Sequence, residues 1–528
     1  MIIVFNSLSI ILTETNLQIF IVMKKHIRSF VLIALSIFLF TGSSITVFGQ
    51  LSGYNISEYK NPVYRYQFLN TKLNLGTSSN NQRFGSSMID YSLRQRSLSL
   101  NSSLYGDYLL LANSARYQGE QSISLDFGGN SSSNNTAGTY DGKGNTFRQS
   151  SDFRLNSSNR YYFKPAYFLE FSPSIVLNNT VYSSHYQNHA TEMEQESETK
   201  QKNSSSELDF SLDLAVGKGR IEAVQDAQMA CYILEDLNKL GSLKKSISPE
   251  DIEALATAIT RIKATRFFDS RIQKIREMSE IDALLNSRGL KSSGDAAYFT
   301  SLFDNWNYAN NPVRESGYRY FAGLSLNTYG KNQINTFDTI MPAEYHYKFR
   351  NDVRLMNAGV YAGFKHEKPL NLKWQQSLSA RIDFTMDSYK ETNQYLKPVV
   401  QDEFLLSKKN GPTLNASIGG SYSYYPTTRT SASAGLYYSA HYGNFDVDSD
   451  DIYNTHTGSS EFWSQLQLNF RINYYCSERL RLQISAGEFL YYQHIHNGES
   501  EQAGLSSSNY RRFQAQSYIN ATLIYSFL

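Results

Sequence analysis

The chain has 528 residues, with 50 basic and 48 acidic side chains and a net charge of +2, so no global field points to nucleic acid as a partner. Its 39 Tyr and 31 Phe against 10 Pro, with much Ser and Asn, suit alternating strands and polar turns rather than a set of ordinary soluble domains. Two cysteines, Cys231 and Cys476, stand far apart in differently patterned segments, which excludes metal-ligand and redox-motif spacing and leaves reduced structural thiols as the expectation.

Residues 1–49 read as a targeting region. From Met23, the stretch MKKHIRSFVLIALSIFLFTGSSITVFGQ has a basic start (Lys24, Lys25, Arg28), an apolar run from Phe30 to Phe40 and a small Gly49 at a cleavage point. The mature chain is expected to begin near Gln50, with Met23 as the true start. As a retained membrane helix the run is short and is broken at Thr41 to Ser44.

Residues 50–217 form the first part of an expected β-barrel. Its last strand, at 204–217, shows the rule most clearly: Leu208, Phe210, Leu212, Leu214 and Val216 alternate with Glu207, Asp209, Ser211 and Asp213. After Gly217 and Gly219 the period lengthens, and Val224, Ala227, Cys231 and Leu234 recur at helical spacing. Residues 218–313 are therefore read as a helical insert of three or four helices. Ser248 followed by Pro249, Glu250 and Asp251 is a helix start, with a capping side chain, proline in the first turn and acids at the positive end of the dipole. Ile252, Leu255, Ile259 and Ile262 make one stripe; Ile272, Ile275, Ile281 and Leu284 make another before Gly289.

Alternation returns over 314–528, the second part of the barrel. In LKWQQSLSARIDFTMD, Leu372, Trp374, Leu378, Ala380, Ile382, Phe384 and Met386 oppose Lys373, Gln375, Ser377, Ser379, Arg381, Asp383 and Thr385. That run exceeds the roughly 9 to 11 residues of a membrane-crossing strand. Short turns (367–371, 425–429, 476–479) alternate with expected long polar loops (388–411, 444–460, 494–508), the habit of outer-membrane barrels whose short turns face the periplasm. Trp374, Tyr424, Tyr474 and Tyr525 fall at the short-turn ends and Phe384, Tyr442 and Phe462 at the other, as two aromatic girdles require. In all about 14 strands are expected, within a range of roughly 12 to 16, an even number being the bacterial rule. Counting strands back from a periplasmic C-terminus puts the insert on the periplasmic side, either as a small domain or folded into the lumen as a plug.

The inward faces are polar and mixed in sign. Glu170, Asp209 and Asp213 oppose Lys373, Arg381, Arg471 and Arg481, with Asp383, Gln467 and Asn469 among them, and these ten are the expected pore-lining residues. Other motifs carry less. His494 and His496 share a strand face without a third metal ligand, and Asp446 to Asp451 lack the glycine and glutamate of a calcium-binding loop. The acidic stretch 192–202 reads as a charged loop. Ser439, His441 and Asp446 are generic in spacing, and 217–220 lacks a phosphate-loop pattern, so no enzyme, cofactor or metal is expected.

The last strand, QSYINATLIYSFL, has Ile519, Ala521, Leu523, Tyr525 and Phe527 on one face and resembles the C-terminal signal strand of bacterial outer-membrane barrels, departing from it in placing Leu528 after the aromatic residue. The whole pattern resembles porin-like outer-membrane β-barrels of Gram-negative bacteria, of the Bacteroidota type. That resemblance implies residence in the outer membrane, contact with outer-membrane lipid and passage through the barrel assembly machinery. A TonB-dependent transporter, with roughly 22 strands and a plug, fits less well. Two functions stay open: a channel for small polar solutes, or a structural or docking barrel whose insert binds a periplasmic protein.

Overall fold

A computed structural model describes residues 54–528 apart from 87–90, 139, 191–194, 245, 266–272, 293, 309–313, 342, 398–403, 450–454, 478–479, 499–507 and 526–528. Residues 1–49, expected to be a targeting region, and the terminal Phe527 and Leu528 lie outside the described residues, as does the side chain of Tyr525.

Alternating side chains make fourteen strands in one antiparallel sheet, each paired with its neighbours in sequence. They are β1 (Tyr64–Ser86), β2 (Tyr91–Asn113), β3 (Tyr117–Gly138), β4 (Tyr140–Lys164), β5 (Tyr167–Ala190), β6 (Gln195–Ala223), β7 (Glu315–Met341) and β8 (Ala343–Pro369), followed by β9 (Trp374–Lys397), β10 (Phe404–Thr427), β11 (Thr430–Ser449), β12 (Thr455–Tyr475), β13 (Leu480–Asn497) and β14 (Ser508–Tyr525). Between β6 and β7 lie four helices, α1 (Gln225–Lys239), α2 (Pro249–Ala264), α3 (Lys274–Ser287) and α4 (Ala296–Tyr308).

The sheet is rolled. Arg381 on β9 reaches Asp213 on β6 at 3.0 Å across the two intervening strands, which a flat sheet would hold far apart. One helical body also touches β1 and the turn after β12. A row of paired residues starting at Arg65, the second residue of β1, runs through Phe171, Leu214, Leu324, Phe384 and Phe462 to Arg511, near the start of β14. It climbs from the short-turn end to the opposite end, the slant that closing a barrel demands. β1 and β14 end the order, and among the described residues each has one hydrogen-bonded neighbour. A bilayer offers no partner to an open edge, so these two strands are the ones that must meet to close it.

The outer face carries a band that ends sharply. On β9 the outward residues Leu378, Ala380, Ile382, Phe384 and Met386 give way to Ser388 and Lys390; on β8 Val360, Ala358 and Met356 give way to Arg354 and Asp352. At the short-turn border the rings of Tyr320 and Phe364 stack at 4.7 Å and those of Trp374 and Tyr424 lie 4.5 Å apart. At the other border Phe462 meets Tyr492 at 6.2 Å. Aromatic rings thus stand at both borders of the apolar band, as the two girdles of a lipid-facing belt require.

A carboxylate breaks this face at mid-strand. Glu488, at mid-strand on β13, pairs across with Leu468 and Ser517 and points outward beside Ala486 and Ile519. A carboxylate there opposes burial in lipid, so Glu488→Leu is expected to raise stability by about 1–2 kcal/mol in urea titrations of vesicle-inserted protein. Destabilisation instead would mean that the carboxylate has a partner in the membrane.

Several expected boundaries move. The polar stretches 388–411 and 444–460 are largely strand, since β9 runs to Lys397, β10 begins at Phe404, and β11 and β12 together cover all but the few residues between Ser449 and Thr455. The acidic stretch 192–202 belongs to β6 from Gln195 on, and Asp446 and Asp448 sit in β11. These Ser-, Asn- and Gly-rich segments have no apolar face to betray them, yet ladder hydrogen bonds join backbones whatever the side chains. The insert also starts later: residues 218–223 continue β6, and the helices begin at Gln225.

Candidate functional site

The short-turn mouth of the barrel is built over. Gly219 (φ 110°) and Gly317 (φ 125°) stand near the short-turn end of the β6–β7 ladder, where a Cβ would come 2.1 Å from Tyr318 O and Arg220 O respectively, so only glycine fits this backbone. The turned end meets the β2–β3 turn. Arg220 Nη2 donates to Asn113 Oδ1 and to Ser114 O, each at 2.8 Å, and Gln118 Nε2 donates to Ile221 O at 3.0 Å.

Beyond it the four helices bury their stripes against one another. Val224, Ala227, Leu234, Ile252, Ile259 and Ile281 are fully buried, together with Ile56 from the segment that leads into β1. The first expected stripe is correct. In the second, Ile281 is buried and Leu284 packs partly buried against the core beside Met278 and the buried Leu285, Ile275 is exposed, and Ile272 lies outside the described residues. The expected start of α2 is a full capping box between Ser248 and Asp251. Burial works against the charged Asp251, but Arg288 at 2.7 Å and the capping bonds hold its carboxyl below the usual range. Cys231 is free and buried, which pushes its thiol up to about 12; Cys476 is free and exposed.

This helical cap is tied to the barrel's turns. Arg314, fully buried, donates from Nη1 to Leu372 O at 2.6 Å, from Nη2 to Asn371 O and Trp374 O at 2.8 Å, and from Nε to Gln375 Oε1 at 3.2 Å, with its guanidinium over the Tyr425 ring. Burial lowers its pKa to about 10, which leaves it charged at neutral pH. Tyr232 Oη on α1 donates to Tyr425 O at 2.9 Å, Asp304 on α4 pairs with Arg429 between β10 and β11, and Tyr308 packs on Tyr475. These bonds from the helices and Arg314 go to turns and strand ends of the barrel.

Above the cap the inward wall is charged and paired. Arg381 bonds Asp213 at 3.0 Å and Asp383 at 2.7 Å and lies 4.0 Å above the Tyr361 ring. Glu170 is held by Arg160 at 2.9 Å, and nearby Phe168 fills the space over Gly217. Asp209, Gln467 and Arg471 occupy inward positions on their strands, and Arg481 lies beside Tyr475 near the mouth. Asn469 accepts from Tyr518 Oη at 3.2 Å. Lys373, read as the first inward residue of its strand, sits in the turn before β9 with its side chain exposed. His441 Nδ1 lies 2.7 Å from Asn415 Oδ1 and the ring stacks on Trp463, while Asp446 is on the opposite face of β11. Among the described residues no group of three or more His, Cys, Asp or Glu side chains is arranged to hold a metal.

Sequence reasoning missed Arg314 and Arg160. Arg314 stands between helix and strand, where neither period marks it.

Fold and lumen together define a membrane-spanning antiparallel β-barrel of the outer-membrane type, with a helical cap. No family model and no curated protein matches the chain. Among solved structures it is similar to the translocator domain of autotransporter NalP from Neisseria meningitidis at 8% identity, over 72% of this chain and 84% of that one, with a TM-score of 0.22, a likeness too loose to carry an argument.

Proposed function

We propose that the protein is an outer-membrane channel for small polar solutes, open toward the long-strand side and gated at its periplasmic mouth by the helical cap. The observation that carries this reading is the placement of α1 to α4: their bonds to the barrel go to turns and strand ends, which leaves the ion-paired wall around Arg381, Asp213 and Asp383 facing the lumen. Opposed charges on such a wall favour polar solutes over apolar ones. Outer-membrane lipid and the barrel assembly machinery are the partners this location implies.

The test is single-channel conductance of residues 50–528 in planar bilayers. Arg381→Gln removes one positive charge between two carboxylates, so the cation-to-anion permeability ratio is expected to rise about twofold or more. An unchanged ratio in a conducting barrel would move the selective region away from Arg381. Silence from both the parent and a variant with its cap released would sink the channel reading.

A docking role has its own observation. On α4, Phe299 and Phe303 are 43% and 39% exposed, on the side away from Asp304 and Tyr308, which face the barrel. A periplasmic protein bound there would be lost in a Phe299→Ser, Phe303→Ser double variant that still conducts.

A further inference from the structure

Two neighbouring rows of inward residues cross the wall of β8 to β12 and change character in the middle. One row reads Lys365, Ser379, Gly419, Tyr437 and the other Glu367, Ser377, Ser421, Gly435, Asn469. On β9, β10 and the near part of β11 the side chains shrink to Ser and Gly, while Lys365 and Glu367 stand on one side and Tyr437 and Asn469 on the other. The result is a lumen-facing hollow of about 260 Å³. Neither glycine is there for its backbone. A Cβ on Gly435 would touch Ser421 Cβ at an ordinary 3.4 Å, and one on Gly419 would press only on the Tyr437 ring at 3.1 Å. What these glycines supply is room.

We infer that this hollow is a binding site for a neutral polyhydroxylated solute of mono- or disaccharide size, formed by Ser377, Ser379, Ser421, Glu367, Tyr437 and Asn469 over a floor of Gly419 and Gly435. The inference rests on the channel reading for its purpose, though not for its chemistry. Serine hydroxyls both donate and accept, which suits the hydroxyls of a polyol. Glu367 accepts from Ser377 Oγ at 2.5 Å and from Gln375 Nε2 at 3.2 Å, both at Oε2, and a carboxylate has about four lone-pair sites, so Oε1 keeps acceptor capacity beside Lys365. Tyr437, 37% exposed, offers a ring face against which the C–H side of a sugar can lie. An anion finds no welcome. Lys365, the cation among the lining residues, is held by Glu315 at 2.7 Å and faces Glu367 at 3.5 Å, so its charge is already met. The volume is below the roughly 300–1,000 Å³ typical of drug-sized ligands, which sets the upper size.

The test is equilibrium binding by calorimetry to the detergent-solubilised full barrel, with maltose, sorbitol and citrate as probes. It needs no conduction, so a silent pore and an empty hollow fail separately. The expected result is binding of maltose or sorbitol but not citrate, weakened roughly tenfold or more in Gly435→Val, which fills the hollow. Tyr437→Ala should weaken maltose more than sorbitol, since only maltose presents ring faces. Far-ultraviolet circular dichroism must match the parent in each variant. No binding of either polyol to the parent, stronger binding of citrate, or full binding in a folded Gly435→Val barrel would each overturn the proposal.

Discussion

Arg314→Ala is expected to loosen the cap from the barrel by about 3–5 kcal/mol, the scale seen when a buried charged group is cut from its partners. The wild-type guanidinium is fully buried, and among the described residues its bonds go to no carboxylate; its charge is met by the carbonyls of Asn371, Leu372 and Trp374 and by the Gln375 side chain. Alanine would strip the guanidinium from those carbonyls, leaving Trp374 O with the Leu370 N–H at 2.9 Å and Leu372 O with Tyr232 Oη at 3.4 Å, and would open a cavity under the Tyr425 ring. Lysine would not rescue, because a single ammonium cannot reproduce a planar fork that spans a turn. The measurement is limited proteolysis of the helical segment in reconstituted vesicles, read beside conductance. Cleavage between α1 and α4 should accelerate by two orders of magnitude or more, since about 1.4 kcal/mol is tenfold, and the open fraction of the channel should rise with it. Faster cleavage without more conduction would separate the cap from gating. Unchanged cleavage would mean that the helices are held by Tyr232, the Asp304–Arg429 pair and Tyr308 alone.

What could be read from the sequence follows from which signals are one-dimensional. The face of each crossing segment is written in a period of two, so Trp374, Phe384 and Met386 were legible as lipid-facing and Arg381 and Asp383 as inward. The helices of the insert are written in the same way, and Ile252, Leu255 and Ile259 are buried as their spacing requires. Strand ends were not legible. Outside the membrane both faces are wet, alternation vanishes, and stretches such as 388–397 look like loops although they continue a ladder. The lumen was legible only as a list. That Arg381 clasps Asp213 over two strands depends on curvature, and the hollow at Gly419 and Gly435 depends on register between five strands. Shortness of a side chain is a weak sequence signal until its neighbours across the sheet are known.

Asp226→Ala is expected to unfold the cap from within. Asp226 opens α1 and receives Lys263 Nζ from α2 at 2.5 Å and Thr260 Oγ1 at 2.6 Å, with both charged side chains about nine-tenths buried. The pair staples the two helices at the end nearest β1. Removing the carboxylate strands an ammonium among apolar side chains, at a cost of about 3–5 kcal/mol. Amide hydrogen exchange in α1 and α2 should then speed up by roughly two to three orders of magnitude, while exchange in β8 to β10 stays as it was. The double variant Asp226→Ala, Lys263→Met decides between two explanations. If the loss comes from an unpaired charge, taking the charge away restores most of the protection, because a buried pair contributes little over well-packed apolar groups. If protection stays lost, the carboxylate matters through Thr260 and the N-terminal end of α1, where a negative group meets the helix dipole and free backbone N–H groups.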